Sequence, residues 1–297
     1  MFIMKKISTV QEYNDHFGVD TLHPLVSVVR FEDFKPHLGA KMLYEVYCVL
    51  LKDIKCGNLM YGNTTYDYHD GTIVTMAPGQ VYGVETQTPV RGKGRGLIFN
   101  SDLIYGTELG ANIRNYRFFS YESREALHLS LKERGQIETC MDNILIELHR
   151  EIDRHTRTII CREVNLLLDL CQRFYDRQFI TRHEVNSDML TKFESLLHEY
   201  VNGTEISERG LPSVSYFADK LCLSPTYFGD LIKKATGVTA KDMIQNRVIG
   251  VAKQRLLASD EPVGIIADSL GFEYPSHFTR MFKNNVGMTP VEFRNKS

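Results

Sequence analysis

The sequence contains no hydrophobic run that approaches 18 residues, and its first residues, Met1 to Lys6, are not followed by an apolar stretch. A helix that crosses a membrane needs about 20 consecutive apolar residues. A secretory signal peptide needs an apolar segment of roughly 7–15 residues after its basic start. We therefore expect a cytoplasmic protein that neither spans a membrane nor carries a signal peptide.

Metal-binding and catalytic signatures are missing as well. The six cysteines form no Cys-x-x-Cys pair and have no His partners at zinc-finger spacing. In a long chain without a secretory signal, buried free thiols are favoured over three disulfides. A Ser-His-Asp arrangement, a Gly-rich phosphate loop and an activated Cys motif are also absent. We predict no catalytic residue, no metal site and no cofactor, so the protein is not expected to be an enzyme.

The charge is nearly balanced, with 35 Lys or Arg against 37 Asp or Glu and a net charge of −2. From Glu205 onward, twelve basic residues stand against ten acidic ones, so charge alone does not mark a nucleic-acid-binding end. A length of 297 residues allows two domains, and 43% hydrophobic composition is ordinary for a soluble protein. The function must therefore be inferred from motifs.

One pattern occurs twice in the last eighty-odd residues. The offset between the copies is 49 residues in their first halves and 50 in their second halves, so the second copy has one extra residue in its turn. Each copy predicts a helix, a tight turn and a second helix, which is a helix-turn-helix unit. The repeated pairs are Ala218/Ala267, Asp219/Asp268, Leu221/Leu270, Phe228/Phe278, Lys233/Lys283, Gly237/Gly287 and Thr239/Thr289.

The second helix of each copy is predicted to be amphipathic. At about 100° per residue, an apolar stripe lies opposite a face of small polar and basic residues. Ser224-Pro225 predicts the start of the first such helix, and Gly237 and Gly287 predict the two helix ends. A helix with this outer face suits the major groove of DNA. The apolar stripes are Phe228, Leu231, Ile232 and Ala235 in the first copy and Phe278, Met281 and Phe282 in the second.

Residues 188–294 resemble the C-terminal DNA-binding domain of the AraC/XylS family of bacterial transcription regulators. The similarity lies in Leu223 to Phe228, Ile265 to Phe272, Pro275 to Lys283 and the run from Gly287 to Arg294. The resemblance implies two helix-turn-helix units that recognise successive segments of the major groove. It also implies one long connecting helix, here Ala240 to Ala258, with a stripe of Ile244, Val248, Val251, Ala252 and Leu256.

The residues that would contact DNA follow from these two outer faces. Arg280 is the strongest candidate, because a guanidinium can donate two hydrogen bonds to guanine O6 and N7, although an exposed Arg is commonly only solvated. Lys233 and Lys283 occupy matching positions where a cation would meet phosphate, and His277 is expected to pack or to bind phosphate. The full predicted set is Ser224, Thr226, Tyr227, Asp230, Lys233, Ser276, His277, Thr279, Arg280 and Lys283.

Two positions depart from the family pattern. The first recognition helix has Gly229-Asp230, where many members carry a large polar residue followed by Arg. We therefore expect the first unit mainly to position the protein and the second unit to specify the base sequence. Tyr274 stands where a capping Asp or Ser is expected before Pro275.

Residues 1–130 predict a β-rich domain, because short apolar or alternating runs are separated by Gly- and Asn-rich turns. Such spacing is typical of a sandwich or a small barrel. The family commonly has a cupin-like jelly roll at this place, and the segment from Tyr68 to Gln80 resembles part of it. The predicted strands are Leu25–Phe31, Met42–Leu51, Leu59–Tyr61, Thr72–Ala77, Val81–Glu85 and Gly96–Phe99.

An effector pocket is predicted inside this barrel, with Tyr66, Tyr68, His69 and Tyr82 as candidate lining residues. An aromatic residue or His on a strand more often belongs to the core, so the prediction concerns the place of the pocket first. His69 has no second His two residues away and no fitting Glu, which a metal-binding cupin enzyme would need. No metal site is therefore predicted here.

Residues 131–178 predict an antiparallel pair of helices. The resemblance implies dimerisation through this segment, and the alternative is that both apolar stripes simply pack on the barrel. The polar stretch from Arg177 to Val185 predicts an irregular linker, placed at residues 179–186, and residues 187–297 form the predicted DNA-binding domain, in which Asn186-Ser187 caps its first helix. The two stripes are Ile137, Met141, Ile144, Leu145, Leu148 and Ile152, and Ile160, Val164, Leu167, Leu168, Cys171 and Tyr175.

The predicted architecture is thus α+β with two domains: a cupin-like β jelly roll or barrel with a helical dimerisation segment, and an all-α double helix-turn-helix. The predicted function is a transcription regulator, favoured as an activator, that binds promoter or operator DNA as a homodimer, contacts RNA polymerase and responds to a small-molecule effector. One alternative is a ligand-independent regulator whose first domain only dimerises or binds a protein. A cupin-type enzyme with a DNA-binding tail is less favoured. An open pocket in the barrel would support the effector-responsive regulator over the ligand-independent one.

Overall fold

The computed structural model describes residues 5–53, 60–61, 64–65, 71–83, 89–90, 92–122, 125–181 and 183–296. The chain divides into two compact units, Met1–Gln178 and Phe179–Ser297. Among the described helices, none combines the length and the apolar character that a membrane crossing requires.

The first unit is built on two β-sheets that share one apolar core. Its strands are β1 (Lys5–Ile7), β2 (Val26–Arg30), β3 (His37–Leu38), β4 (Met42–Tyr44), β5 (Tyr47–Lys52), β6 (Met60–Tyr61), β7 (Thr64–Thr65), β8 (Thr72–Met76), β9 (Gln80–Tyr82), β10 (Pro89–Val90), β11 (Gly94–Phe99) and β12 (Leu127–His128). The larger sheet has the order β12-β8-β5-β11-β2 and is antiparallel throughout. The smaller sheet has the order β1-β4-β9, and β3 with β10 and β6 with β7 form two-stranded pairs.

Side-chain alternation on β5 shows how the core is arranged. Cys48 and Leu50 point into the cluster that also contains Met42 and Tyr44 of the smaller sheet, so the two sheets face each other across it. Val49 and Leu51 are equally buried on the opposite face of β5. Strands that are buried on both faces need few polar side chains, which explains the continuous apolar run of β5.

Helices complete the first unit: α1 (Val10–Phe17), α2 (Ser101–Ile104), α3 (Glu108–Asn112), α4 (Leu131–Leu148) and α5 (Thr156–Thr181), of which the residues after Gln178 belong to the second unit. The β-rich prediction located most of the strands of the larger sheet. It missed β1 and α1, and it wrongly extended β structure through residues 101–122, which form α2, α3 and 3-10 turns. Hydroxyl and amide side chains cap these short helices, at Asn100 for α2 and at Thr107 for α3. Local capping of this kind competes with strand pairing.

The prediction of an antiparallel helix pair is confirmed. Arg177 of α5 pairs with Glu133 at the start of α4, with Nη2 and Oε2 2.9 Å apart, and Asn143 donates to Glu163 farther along both helices. All six stripe residues of α5 are buried. In the other stripe, Ile137, Met141, Ile144 and Leu148 are buried and Leu145 is partly buried. Ile152 is 64% exposed because α4 ends at Leu148, before this residue.

The predicted irregular linker differs from the structure. Residues 177–181 continue α5, and α6 begins at His183, so the prediction of an irregular stretch and of a helix cap at Asn186-Ser187 is wrong. No Gly or Pro occurs between residues 177 and 187, so nothing in the local sequence prevents helix formation. Phe179 is also buried, with its ring 5.1 Å from that of Tyr227 within the second unit.

The second unit is entirely helical over its described residues. Its helices are α6 (His183–Asn202), α7 (Glu205–Arg209), α8 (Val214–Lys220), α9 (Pro225–Thr236), α10 (Ala240–Ala258), α11 (Val263–Ser269), α12 (Pro275–Val286) and α13 (Pro290–Lys296). Helices α8 and α9 form the first predicted helix-turn-helix unit, and α11 and α12 form the second. Phe193 of α6 packs edge-on against Phe217 and Phe228, with 5.1 Å between ring centroids in each pair. Helix α6 therefore packs against the first helix-turn-helix unit.

The prediction of buried free thiols is confirmed for four cysteines and is wrong on burial for a fifth, Cys222, which is free but exposed. Cys48, Cys140, Cys161 and Cys171 are buried and Cys222 is exposed, while Cys56 lies outside the described residues. Burial raises the pKa of the Cys140 thiol to about 11, which keeps it protonated and unreactive at neutral pH.

Candidate nucleic-acid interface

Helix α9 has the local signals that the sequence predicted. The hydroxyl of Ser224 accepts a hydrogen bond from the backbone N–H of Tyr227 at 3.2 Å, and Pro225 follows at the first helical position. The helix ends at Gly237, whose φ is 78° and whose N–H donates to the carbonyl of Lys233 at 2.9 Å. A left-handed residue at this place favours glycine because it has no Cβ.

Helix α12 repeats this design with one difference. Phe278 and Phe282 are fully buried, and their rings pack against Phe272 and Phe293 respectively. At the start of the helix, however, the side chain of Tyr274 makes no capping hydrogen bond. The departure predicted at this position is therefore confirmed.

The turns of the two helix-turn-helix units also match. Cys222 and Gly271 occupy the equivalent turn positions, and both have left-handed backbones, with φ of 56° and 75°. Cys222 is the one residue other than glycine with positive φ among the described residues. Gly271 is tightly enclosed, since a Cβ on it would lie 2.4 Å from the carbonyl oxygen of Ile206.

Helix α10 joins the two helix-turn-helix units, as the resemblance implies. The hydroxyl of Thr239 accepts from the N–H of Asp242 at 3.1 Å and so caps the start of α10. Both α9 and α12 contact α10. At 1.5 Å per residue, a helix of this size extends about 28 Å, close to the ~34 Å spacing of two recognition elements one DNA turn apart. The predicted stripe is fully buried: Ile244, Val248, Val251, Ala252 and Leu256.

Most of the predicted DNA-contacting side chains reach the surface. Lys233, Ser276, His277, Arg280 and Lys283 are exposed, and Thr226, Asp230 and Thr279 are partly buried. The hydroxyl of Thr279 donates to the carbonyl of Pro275 at 3.0 Å, which leaves its oxygen lone pairs available to a donor.

Two members of the set do not lie on this surface. Tyr227 is 2% exposed because its ring packs inward on Phe179, and Ser224 is 4% exposed because its hydroxyl caps α9. These two side chains are therefore structural in this fold. Ala235, assigned to the buried stripe of α9, is exposed instead.

An open cleft of about 430 Å³ lies beside α12. His277, Arg280 and Asn284 line it from α12, and Gln245 lines it from α10. The sequence analysis missed Gln245 and Asn284. Asn284 could have been found, since it lies four residues after Arg280 on the same face, whereas Gln245 comes to the cleft only through the packing of α10.

The repeat also places opposite charges at one position. Asp230 of α9 corresponds to Arg280 of α12, at an offset of 50 residues. An Arg at this place can donate to phosphate or to guanine, but an Asp is repelled by phosphate and can only accept, for example from cytosine N4. The two outer faces are therefore chemically unlike.

The first unit contains a cavity of about 300 Å³ between its two sheets. Tyr82, one of the four predicted effector-binding residues, lines it, and Tyr66, Tyr68 and His69 lie outside the described residues. Tyr13 and Tyr44 also line the cavity. Burial raises the pKa of both hydroxyls above the ordinary tyrosine value, so they stay protonated at neutral pH.

Comparisons with known proteins agree with this geometry. A family model described as a helix-turn-helix domain matches residues 217–296. The uncharacterized HTH-type transcriptional regulator YobQ of Bacillus subtilis is 34% identical over 71 residues, which is 24% of this chain and 30% of that protein. The arabinose operon regulatory protein of Escherichia coli is 28% identical over 81 residues, which is 27% of this chain and 28% of that protein. The chain thus spans less than a third of the length of either relative.

Among solved structures, the C-terminal domain of the two-component response regulator yesN from Fusobacterium nucleatum is 24% identical, with a TM-score of 0.33. It covers 36% of this chain and 98% of that one. The residues matched by the family model, 217–296, fall in the region where the structure has two helix-turn-helix units joined by α10. The C-terminal domain is therefore similar to the DNA-binding domains of AraC-type transcription regulators.

Proposed function

We propose that the chain is a sequence-specific, DNA-binding transcription regulator. The observation that carries the proposal is the pair of exposed polar faces on α9 and α12, two helices that both pack against α10. Recognition helices of this kind enter the major groove with their exposed side while the apolar side is held by the preceding helix. We also propose that this DNA-binding regulator acts in the cytoplasm.

Within this function, the second helix-turn-helix unit specifies the base sequence and the first mainly positions the protein. The equivalent positions Asp230 and Arg280 carry opposite charges, which supports this division because α9 offers fewer donors to bases and phosphates.

The test is selection of bound sites from random DNA by the full chain, followed by substitution of each base pair in the best site. We expect substitutions under α12 to weaken binding by about 1–3 kcal/mol each and those under α9 by clearly less. Equal losses in both halves would contradict the division of roles. Failure to select any sequence over random DNA would contradict the proposed function itself.

The first unit senses an effector, and its two facing sheets adopt a cupin-like jelly roll. The cavity between the sheets supports this proposal over the ligand-independent alternative, in which the interior would be filled by side chains. A change in the first unit then alters how the second unit engages promoter or operator DNA, and the regulator acts as an activator that contacts RNA polymerase.

Homodimerisation occurs through α4 and α5. Ile159 and Leu166 are 39% and 49% exposed, and because they lie seven residues apart on α5 they share one face. Ile146 of α4 is 57% exposed. Exposed apolar residues concentrated on a helix pair suit a twofold interface, in which the same patch covers itself.

Leu166→Glu is expected to raise the dissociation constant of the dimer by roughly tenfold or more, because twofold symmetry places the new charge on both sides of the interface. Sedimentation velocity over a concentration series measures this constant. Leu131→Glu is the matched control, since Leu131 is also exposed but lies at the far end of α4, and its dimer should persist. An unchanged dissociation constant for Leu166→Glu would mean that the dimer interface lies elsewhere.

A further inference from the structure

We infer that the cavity in the first unit binds a small apolar monocarboxylate, whose carboxylate is held by the ammonium of Lys52 and the hydroxyl of Tyr82. The inference rests on the proposed effector-sensing role of this unit and names the chemistry of the effector. A cavity with one cationic end and apolar walls matches a ligand with one anionic end and an apolar body.

The walls of the cavity are apolar over most of their extent. Phe17 and Phe34 stack with ring centroids 4.4 Å apart on one side, and Leu50 and Met76 of the larger sheet line another. An apolar ligand body gains free energy here by leaving water. A sugar or another polyol is disfavoured, because each buried hydroxyl without a partner costs free energy.

Lys52 supplies the cationic end. It lies two residues after Leu50 on β5, so strand alternation directs it to the same, inner face. Its side chain is partly buried and lines the cavity, with Nζ 4.9 Å from the centroid of the Tyr82 ring. Within the described part of the chain, no carboxylate forms an ion pair with Lys52. A partly buried ammonium without a counter-ion favours an anionic ligand.

Tyr82 supplies the second donor. Lys52 Nζ donates a hydrogen bond to the Tyr82 hydroxyl oxygen, so the hydroxyl hydrogen points away from Lys52 and remains to be donated. The two groups thus stand next to each other with at least one N–H and one O–H to offer. A carboxylate has two oxygens and is ionised at neutral pH, so it can accept from both, and such charge-assisted bonds are the stronger kind.

The size of the cavity limits the ligand. A volume of about 300 Å³ is at the lower end of the roughly 300–1,000 Å³ range of small-molecule sites. A phenylpropanoate or an octanoate is of suitable size, and both are apolar monocarboxylates.

The test is isothermal titration calorimetry of the full chain with 3-phenylpropanoate and octanoate, and with the corresponding neutral amides. We expect each carboxylate to bind at least about tenfold more tightly than its amide, because only the carboxylate forms charge-assisted bonds. Lys52→Met should remove this preference and leave amide binding unchanged. Tyr82→Phe should weaken carboxylate binding by a smaller factor, and Lys132→Met, an exposed lysine of α4, should have no effect.

Equal binding of carboxylate and amide by the wild-type chain, or wild-type affinity in Lys52→Met, would overturn the inference. So would the absence of binding by all four compounds. DNA binding by the same preparation, followed by fluorescence anisotropy on a selected site, is measured in parallel. Binding to DNA without binding to the carboxylates would overturn this inference and leave the proposed DNA-binding function intact.

Discussion

Gly271→Ala is expected to lower the free energy of unfolding of the C-terminal unit by about 3 kcal/mol. Two effects add at this position. The backbone has φ of 75°, a conformation that an L-residue other than glycine adopts only at a cost. The new Cβ would also lie 2.4 Å from the carbonyl oxygen of Ile206 and 2.7 Å from Cα of Gly210, so backbone atoms of the segment around α7 would have to move. Hydrogen exchange of the α12 amides measures this loss separately from the first unit.

Cys222 provides a matched control in the same chain. It occupies the equivalent turn with φ of 56° and is exposed, so Cys222→Gly relieves the left-handed strain and loses little burial. We expect this change to stabilise the unit by about 1 kcal/mol and Cys222→Ala to be nearly neutral. A Gly271→Ala protein as stable as Cys222→Ala would mean that the close approach to α7 does not constrain the turn.

Arg280→Ala is expected to weaken binding to the best DNA site by about 1–3 kcal/mol and to relax the preference at one base position. Arg280 is exposed on α12 beside the cleft that Gln245 and Asn284 share, and its guanidinium is free to donate two bonds to one guanine. Binding constants for the best site and for its single-base variants measure both effects.

Lys233→Ala serves as the comparison. Lys233 is exposed near the end of α9, where we expect a cation to contact phosphate and not a base edge. Its removal should weaken binding to all sequences alike and reduce the dependence of affinity on salt concentration. If Arg280→Ala instead behaves like Lys233→Ala, Arg280 contacts phosphate alone, and the specificity of α12 must come from other side chains.

The helix-turn-helix region was predicted well because its signals are local. A period of 3.6 residues, Ser224-Pro225 at one start and Gly237 and Gly287 at the two ends act within a few residues of chain, whatever the rest of the protein does. Tyr227 shows where such signals stop. Its inward position depends on Phe179, which is 48 residues earlier, and no local pattern predicts that contact.

The same limit applies to the first unit. The predicted strand ends at Leu51, one residue before Lys52. A lysine at the end of an apolar run is commonly solvated, so the local sequence does not mark Lys52 as a cavity residue. Its place in the cavity follows only from the packing of β5 against the smaller sheet. The prediction of an irregular linker after Arg177 is wrong for a different reason. A polar composition without an apolar period does not exclude a helix where Gly and Pro are absent.

The opposite charges of Asp230 and Arg280 have a consequence for the geometry of any DNA site. Many regulators with one helix-turn-helix per chain bind as symmetric pairs, so their sites are palindromes without an inherent direction. In this chain the two recognition surfaces are covalently joined and chemically unequal. Turning the chain end for end on the DNA would place a carboxylate where a guanidinium had been. A single bound chain therefore distinguishes upstream from downstream, and the DNA segment it occupies has polarity.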